Sequence, residues 1–592
     1  MTDTKIEIQQ RILAIVGGGP RGLSALESMY GCLSSSGNFK AIRTILFEKE
    51  ELPGAGPVYS LEQLDTNWLN VSERGLTIPP RVEIHNESIV IPPFASYQNW
   101  AGYNVSKTNK QERDKFPLRS TLGKYLNERY QSIASVLVAA DLLEIVKGEV
   151  IRADWEKNEF KIVINDGREY MADELVLTIG HQPTRNSEQL STWLKYTGSN
   201  HSVVLKVSPY PVEDILKSKK SHVDSVVGLR GFGLAMIDVM RALTVGLGGA
   251  FRVVDEDTQE MKYVKSGNEP AKIIPFSLDG LPMAPKPLNL AIDELYFPTD
   301  TEKKDFQDAI SNISKRGEAK SHTFLIAAIT PITCRVFFAL GDKAYAHNLK
   351  ETAISEIIRL WLENPDYEHE LIVAKTNPTV TMVEEYVGMA TSTVPVSLDF
   401  CIGHVWRHCQ PSLYQATSYS NLKDEVIASI IQLDERLKRY SYGPPVASLQ
   451  QLLALVRADV ISLEYVNDPD IQTNSNGWKL ANDEETVIVD FMVNSVLDAP
   501  KLLEVDSPII HNFLEESLLK PIHGELGIET YKNGCVILDG VEKQIPLAVL
   551  GRLAKGTLIG VDAILECFGE RSKLWALGVI KRLKFLESTG MK

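Results

Sequence analysis

Paired cysteines, long apolar runs and an excess of positive charge are all missing from this chain. Six cysteines are scattered over 592 residues, mostly in apolar runs. Neither C-x-x-C nor C-x₄-C stands beside the first apolar helix. That excludes a disulfide framework and a redox dithiol of that kind, and leaves reduced thiols. No stretch approaches the ~18 consecutive apolar residues of a membrane span. The opening MTDTKIEIQQ has no apolar signal core, so a cytoplasmic protein without membrane contact is expected. The formal net charge of -15 repels phosphate backbones and excludes nucleic acid as a general partner. Solenoid repeats and low-complexity tracts are absent too. What remains is an ordinary globular balance, 44% hydrophobic and 23% charged, on a chain long enough for about two to four domains.

The apolar pattern then gives the organisation. RILAIV, GGGPRG and LSALESMYGCL read as strand, tight turn and helix, and AIRTILFEKE as the next strand. A loop-dense section rich in proline and glycine follows, then an amphipathic helix in LRSTLGKYLNERYQSIASVL. Short alternating strands with an Asn165–Gly167 hairpin turn lead to the apolar strand ELVLTIG. A second strand–glycine–helix unit appears in DSVVGLRGFGLAMIDVM. Residues 300–465 read as largely helical. Towards the end, GCVILDG and GVDAILECFG read as strands before the helix LWALGVIKRLKFL.

The first glycine turn carries the most specific chemistry. Gly17, Gly19 and Gly22 fit G-x-G-x-x-G between a strand and a helix. The first glycine permits the turn, the second lets backbone approach a pyrophosphate, and the third lets helix and strand pack closely. Free N–H groups and the positive end of the helix dipole face the phosphates. Pro20 suits the first helical position, where its missing N–H costs nothing. Glu48 ends the next strand with Lys49 beside it, at somewhat more than the ~20 residues of the compact fingerprint. A carboxylate there accepts ribose hydroxyls and favours FAD or NAD at this turn.

The second turn offers Gly228, Gly231 and Gly233, with Ala235 where a third glycine might be sought. The strand ending at Gly180, followed by His181, marks a crossing between two dinucleotide domains, and Gly569 lies near where the first domain is completed. Several residues keep two readings. His181 either contacts the cofactor or is an ordinary loop histidine. Arg119 and Lys124 either anchor a phosphate or carboxylate or lie on a solvated helix face. Arg230 and Arg241 flank the second turn, within reach of a 2′-phosphate, although Arg230 also suits a plain strand end. Cys401, His404, His408 and Cys409 in CIGHVWRHC suit a zinc site or a packed helix. With no C-x-x-C pair, the packed helix is the expectation and no metal is assigned.

With AIVGGGPRGLSALE, PGAGPVY, FPLRSTLGKYL, LVLTIGHQP, GLRGFGLAMIDVMRALTVGLGG, FSLDGLPMAPKP and RYSYGPPVASLQQLLALVRA in view, the chain resembles the flavoproteins with two dinucleotide-binding domains, distantly like flavin-dependent N-hydroxylating monooxygenases. The resemblance implies that Gly17, Gly19, Pro20, Arg21 and Gly22 hold the FAD pyrophosphate, that Glu48 holds its ribose, and that Gly231 and Gly233 belong to a nicotinamide-cofactor site. The Baeyer–Villiger fingerprint of related enzymes is absent. The expected fold is α/β, a Rossmann-type FAD domain with an inserted smaller NAD(P)-binding domain and a helical segment. Its divisions would be residues 1–200, the first part of the FAD domain; 201–300, the NAD(P)-binding-like domain; 301–470, the helical substrate cap; and 471–592, the return to the FAD domain. The expected function is that of an FAD-dependent oxidoreductase using NADPH or NADH, a monooxygenase acting on a small molecule such as an amine or amino acid. An FAD-dependent dehydrogenase or a non-catalytic flavin sensor or scaffold are the alternatives. No catalytic side chain, substrate or oligomeric state is assigned.

Overall fold

A computed structural model describes residues 10–36, 39–86, 89–104, 109–218, 220–497, 501–524, 526–540 and 544–589. Strand β1 (Arg11–Val16) runs through a turn into helix α1 (Pro20–Ser36), then to β2 (Ile42–Glu48). Helix α2 (Arg119–Ala139) precedes β3 (Leu143–Lys147). A three-stranded antiparallel meander over Val150–Ala172 connects to β4 (Glu174–Leu177). Further along come β5 (Val226–Arg230), α3 (Leu234–Ala242) and β6 (Lys272–Phe276). Among the helices that follow are α4 (Leu398–Thr417) and α5 (Asp424–Ser441). The chain ends with β7 (Phe491–Asn494), β8 (Leu547–Val549) and α6 (Glu570–Thr589).

The first sheet has the parallel order β8-β4-β1-β2-β3. Strands β1, β2 and β4 are largely apolar because both faces are covered, as a parallel sheet requires, whereas the edge strand β3 exposes Ile145 and Lys147. Alternation decides which cover each residue meets. Leu13 and Ile15 pack with Leu26 of α1, Leu122 of α2 and Trp575 of α6. Ala14 and Val16 face the other way, onto Phe160 and Ile162 of the meander. Asn165–Gly167 forms the expected meander turn, with Gly167 donating to the carbonyl of Ile164 at 2.9 Å.

The second sheet has the parallel order Val204–Lys206, β7, β5, β6. Val227 and Leu229 face α3 and the helical region. Ile274 and Met492 face Trp193 and Trp478, contributed by helix Glu188–Ser199 and the three-stranded sheet over Asp470–Val489. The chain therefore holds two parallel sheets, each packed on both faces.

Two expectations need correction. Residues 471–592 were assigned to the returning first domain, yet β7 pairs with β5 and Val204–Lys206 inside the second sheet. The helical region is thus an insertion within the second domain. The strand that completes the first sheet is β8, paired with β4, not GVDAILECFG. Ile564–Phe568 is a short 3₁₀ helix, with Asp562 and Gly569 at its flanks. GCVILDG contributes only isolated bridges, such as Cys535 to Ala548.

The last helix is clamped to the sheet by charge. Arg582 donates to both oxygens of Glu174, at 2.8 and 2.5 Å, and Glu174 is 4% exposed. Removing one partner of such a pair leaves an uncompensated buried charge. Arg582→Ala is expected to destabilise the first domain by ~3 kcal/mol or more, seen as an earlier transition in denaturant melts.

Candidate functional site

The first turn is built from contacts that only a hydrogen side chain allows. Gly17 has a φ of +101° and donates to the carbonyl of Phe47 at 2.9 Å. A Cβ on Gly22 would collide with the Gly17 carbonyl oxygen, so α1 sits hard against the end of β1. Thr178, one residue past β4, closes the other side: its hydroxyl donates to the Gly17 carbonyl at 2.5 Å and to that of Val16 at 3.0 Å.

Gly19 is different. A Cβ there would meet nothing nearer than the Gly56 Cα at 3.7 Å, and Gly56 belongs to the PGAGPVY loop. That loop is tied to the turn by the Gly54 N–H, which donates to the Gly18 carbonyl at 2.6 Å. The corner is bare backbone on both sides, not filled by side chains. With the start of α1 beside it, this is a place an anionic diphosphate fits.

Glu48 lies at the end of β2, 7% exposed. One oxygen accepts the Gly18 N–H at 2.6 Å and the other the Glu50 N–H at 2.9 Å. Burial raises its pKa, and these N–H groups oppose the rise. It is held next to the turn, where an adenosine ribose carried by the turn would lie.

The remaining sequence candidates divide. Pro20 opens α1. The Arg21 guanidinium turns to the far end of the chain, donating to the carbonyls of Glu566 at 3.2 Å and Val561 at 3.1 Å. Lys49 is half exposed and pairs with Glu149 at 3.5 Å. Gly180 has open space around its Cβ direction, and the His181 ring contacts Arg552 at 2.5 Å. Gly569 is exposed at the start of α6. It neighbours the first turn through a helix start, since Ser572 and Ser24 hydroxyls meet at 3.1 Å.

Arg119 is neither a solvated residue nor a free phosphate anchor. It donates to Asp238 of α3 at 2.5 Å and to the Tyr210 hydroxyl at 3.2 Å, bridging the two domains. Lys124 is exposed. Arg241 lies over the Trp68 ring at 3.9 Å and donates to Gln451 and Ser448, both at 2.7 Å. Arg230 donates to Gln189 and Asn494, both at 2.8 Å.

At the second turn, Gly231 has a φ of +112° and donates to the Phe276 carbonyl at 2.7 Å. Gly233 stands at the head of α3 with nothing near its Cβ direction. Gly228 lies inside β5, where a Cβ would press on Met492 and Val489 at 2.9 Å. The third glycine position, counted from Gly231 as Gly22 is from Gly17, is held by Met236 rather than Ala235.

CIGHVWRHC forms the core of α4. His404 is fully buried against the Phe400 ring, 4.3 Å between centroids, and His408 meets Asp293 at 3.0 Å. The sequence reading missed the charge network this helps to build. Asp293 also accepts Arg407 and, at 3.1 Å, Arg74, which grips Asp114 at 3.0 and 2.6 Å. Above this network Lys286 donates to the carbonyls of Asn70 and, at 3.2 Å, Gly443. Burial, with Arg407 adding to it, pulls its pKa down to about 7. The proline-rich LPMAPKP around Lys286 was the available signal, because such segments hold a side chain at a fixed place without regular structure.

Residues 14–182 match the family model described as FAD-NAD(P)-binding. Among curated proteins, the chain is similar to a nitrosuccinic acid synthase of Aspergillus oryzae, 26% identical over 264 residues, covering 44% of this chain and 38% of that one. It is also 25% identical over 295 residues to a nitrosuccinate-forming L-aspartate N-monooxygenase of Streptomyces davaonensis, covering 44% and 42%. The chain thus spans about two fifths of the length of these relatives. Among solved structures, an ornithine hydroxylase of Pseudomonas aeruginosa aligns over 97% of this chain and 99% of its own, at 12% identity and a TM-score of 0.42.

The two glycines make separable predictions. Gly22→Ala forces α1 off β1 and is expected to cost ~3 kcal/mol, as overpacking does. Gly19→Ala brings a Cβ only to van der Waals distance of the Gly56 Cα and should stay within about 0.5 kcal/mol. Thermal melts of both variants check the contrast.

Proposed function

We propose that the chain is an FAD-dependent oxidoreductase that takes hydride from NADPH or NADH, and a monooxygenase acting on a small amine of the amino-acid class. The observation that carries this reading is the pairing of two parallel sheets in one chain, each ending in a Gly-x-Gly turn. The first has a buried carboxylate, Glu48, hydrogen-bonded to the backbone of its turn. The family match over residues 14–182 supports FAD at that turn.

The residues fit the cofactor. Gly17, Gly19 and Gly22 leave backbone bare for the diphosphate, and Glu48 is positioned for ribose hydroxyls. When bound, FAD supplies the electron transfer and the oxygen chemistry. The protein's part is to orient and to keep water out. Arg21 and the Ser24–Ser572 contact fasten the carboxy-terminal segment against the head of α1. Five of the six cysteines are buried and none is paired, which suits the reducing cytoplasm.

Purification should give a yellow protein whose nicotinamide oxidation in air rises with an amino-acid substrate, leaving a hydroxylated amine as product. Product formed equally well under nitrogen would instead indicate a dehydrogenase, and a flavin that no nicotinamide bleaches would indicate a sensor. Gly19→Val is expected to lose more than about 90% of bound flavin through steric exclusion of the diphosphate. Its far-ultraviolet circular dichroism should match the parent.

A further inference from the structure

The helical insertion encloses a cavity of about 630 Å³, to which neither glycine turn contributes a residue. That is the size of a small-molecule site. Its wall combines aromatic rings with carboxylates. Tyr386 of helix Thr379–Ala390 and Tyr440 of α5 stand edge to face, 6.0 Å between centroids and 87° between planes. Both hydroxyls donate to one oxygen of Asp399 in α4, each at 2.9 Å, and the Val373 N–H donates to the other oxygen at 3.1 Å. Asp399 is 1% exposed. Its donors are all neutral, so they fix the carboxylate in place without cancelling its charge.

The cations on the same wall are already engaged. Arg439 donates to Asp279 at 2.6 Å, and Lys375 to Asp366 at 3.2 Å. Arg436 lies 5.2 Å from the Trp361 ring centroid and donates to the carbonyls of Trp361 and Leu362, at 3.2 and 2.8 Å. Glu385 is half-buried beside Tyr386 and has no ion-pair or hydrogen-bond partner among the described residues; the same holds for the exposed Glu368 and Glu370. Burial, and after it the like charge of Asp399, pushes the Glu385 carboxyl up. Burial, with the charges of Glu385 and Asp399 behind it, pushes the Tyr345 hydroxyl up to about 12. The wall thus holds more negative charge than its own side chains balance, set among rings whose faces attract cations. An anion is repelled there, and a neutral ligand leaves Glu385 unpaired.

We propose that this cavity binds an organic ammonium ion, seated among the rings of Tyr345, Tyr386 and Tyr440, with Glu385 and Asp399 supplying the opposite charge. The site is separate from the flavin corner and stands whether or not the redox reading does.

Calorimetric titration of the purified full chain with pentylammonium, 1-pentanol and pentanoate isolates the charge at constant chain length. Pentylammonium should bind at least about tenfold more tightly than pentanol, and pentanoate should give no heat of binding. Glu385→Gln keeps the shape and removes the charge; it should weaken pentylammonium about tenfold and leave pentanol within about twofold. Tyr345→Leu should weaken pentylammonium about fivefold through the lost ring face. The probe comparison uses the parent alone, so it decides even if a variant fails to fold. Equal binding of the three probes, tighter binding of pentanoate, or an unchanged pentylammonium affinity in a folded Glu385→Gln overturns the proposal. Flavin is read separately from the visible spectrum. A colourless protein with this binding pattern supports the proposal and overturns the flavin reading, whereas a yellow protein without it overturns the proposal alone.

Discussion

A buried ion pair, Asp238 with Arg119, ties the helix behind the second glycine turn to helix α2 beside the first sheet. Asp238 is 2% exposed and sits in α3. Burial raises its pKa, and the charge is tolerated because Arg119 approaches from the first domain and the Tyr210 hydroxyl donates at 2.6 Å. An apolar contact would let the domains slide at little cost. A buried ion pair does not, because separation leaves a charge with neither water nor partner. The mutual setting of the two turns is therefore fixed by charge and geometry, and Arg119 is committed to that task.

The two turns share a backbone plan and differ in what fills it. Gly18 and Gly22 of the first are Phe232 and Met236 in the second, both buried. The first helix is pressed to its strand, while the second keeps side chains between helix and strand. The first turn is therefore bare backbone where the second carries two buried side chains.

Local chemistry was readable in the sequence, and distant partnerships were not. Gly17, Gly22 and Glu48 announce themselves because strand, turn, helix and strand follow within a few dozen residues, and each glycine has a steric reason visible in the spacing. The side-chain partners of Arg21, Val561 and Glu566, lie at the other end of the chain, and no local pattern announces them. β7 was misplaced because the strand it pairs with precedes the entire helical insertion. β8 has three residues, too few for periodicity, whereas the longer apolar run of Ala563–Phe568 drew the assignment and proved to be a 3₁₀ turn. The charge network near Lys286 gathers Arg74, Asp114, Asp293 and Arg407 from well-separated segments, so no local pattern could reveal it.

Both sheets are finished by strands from the last fifth of the sequence, β7 and β8. While the ribosome is still making the helical insertion, β5 lacks its β7 neighbour and β4 lacks β8, so each sheet presents an open edge of unpaired backbone. Assembly of the two halves must wait for release of nearly the whole polypeptide, and the helical insertion has its chance to collapse first. The nesting of one domain inside another thus makes the order of birth the reverse of the order of completion.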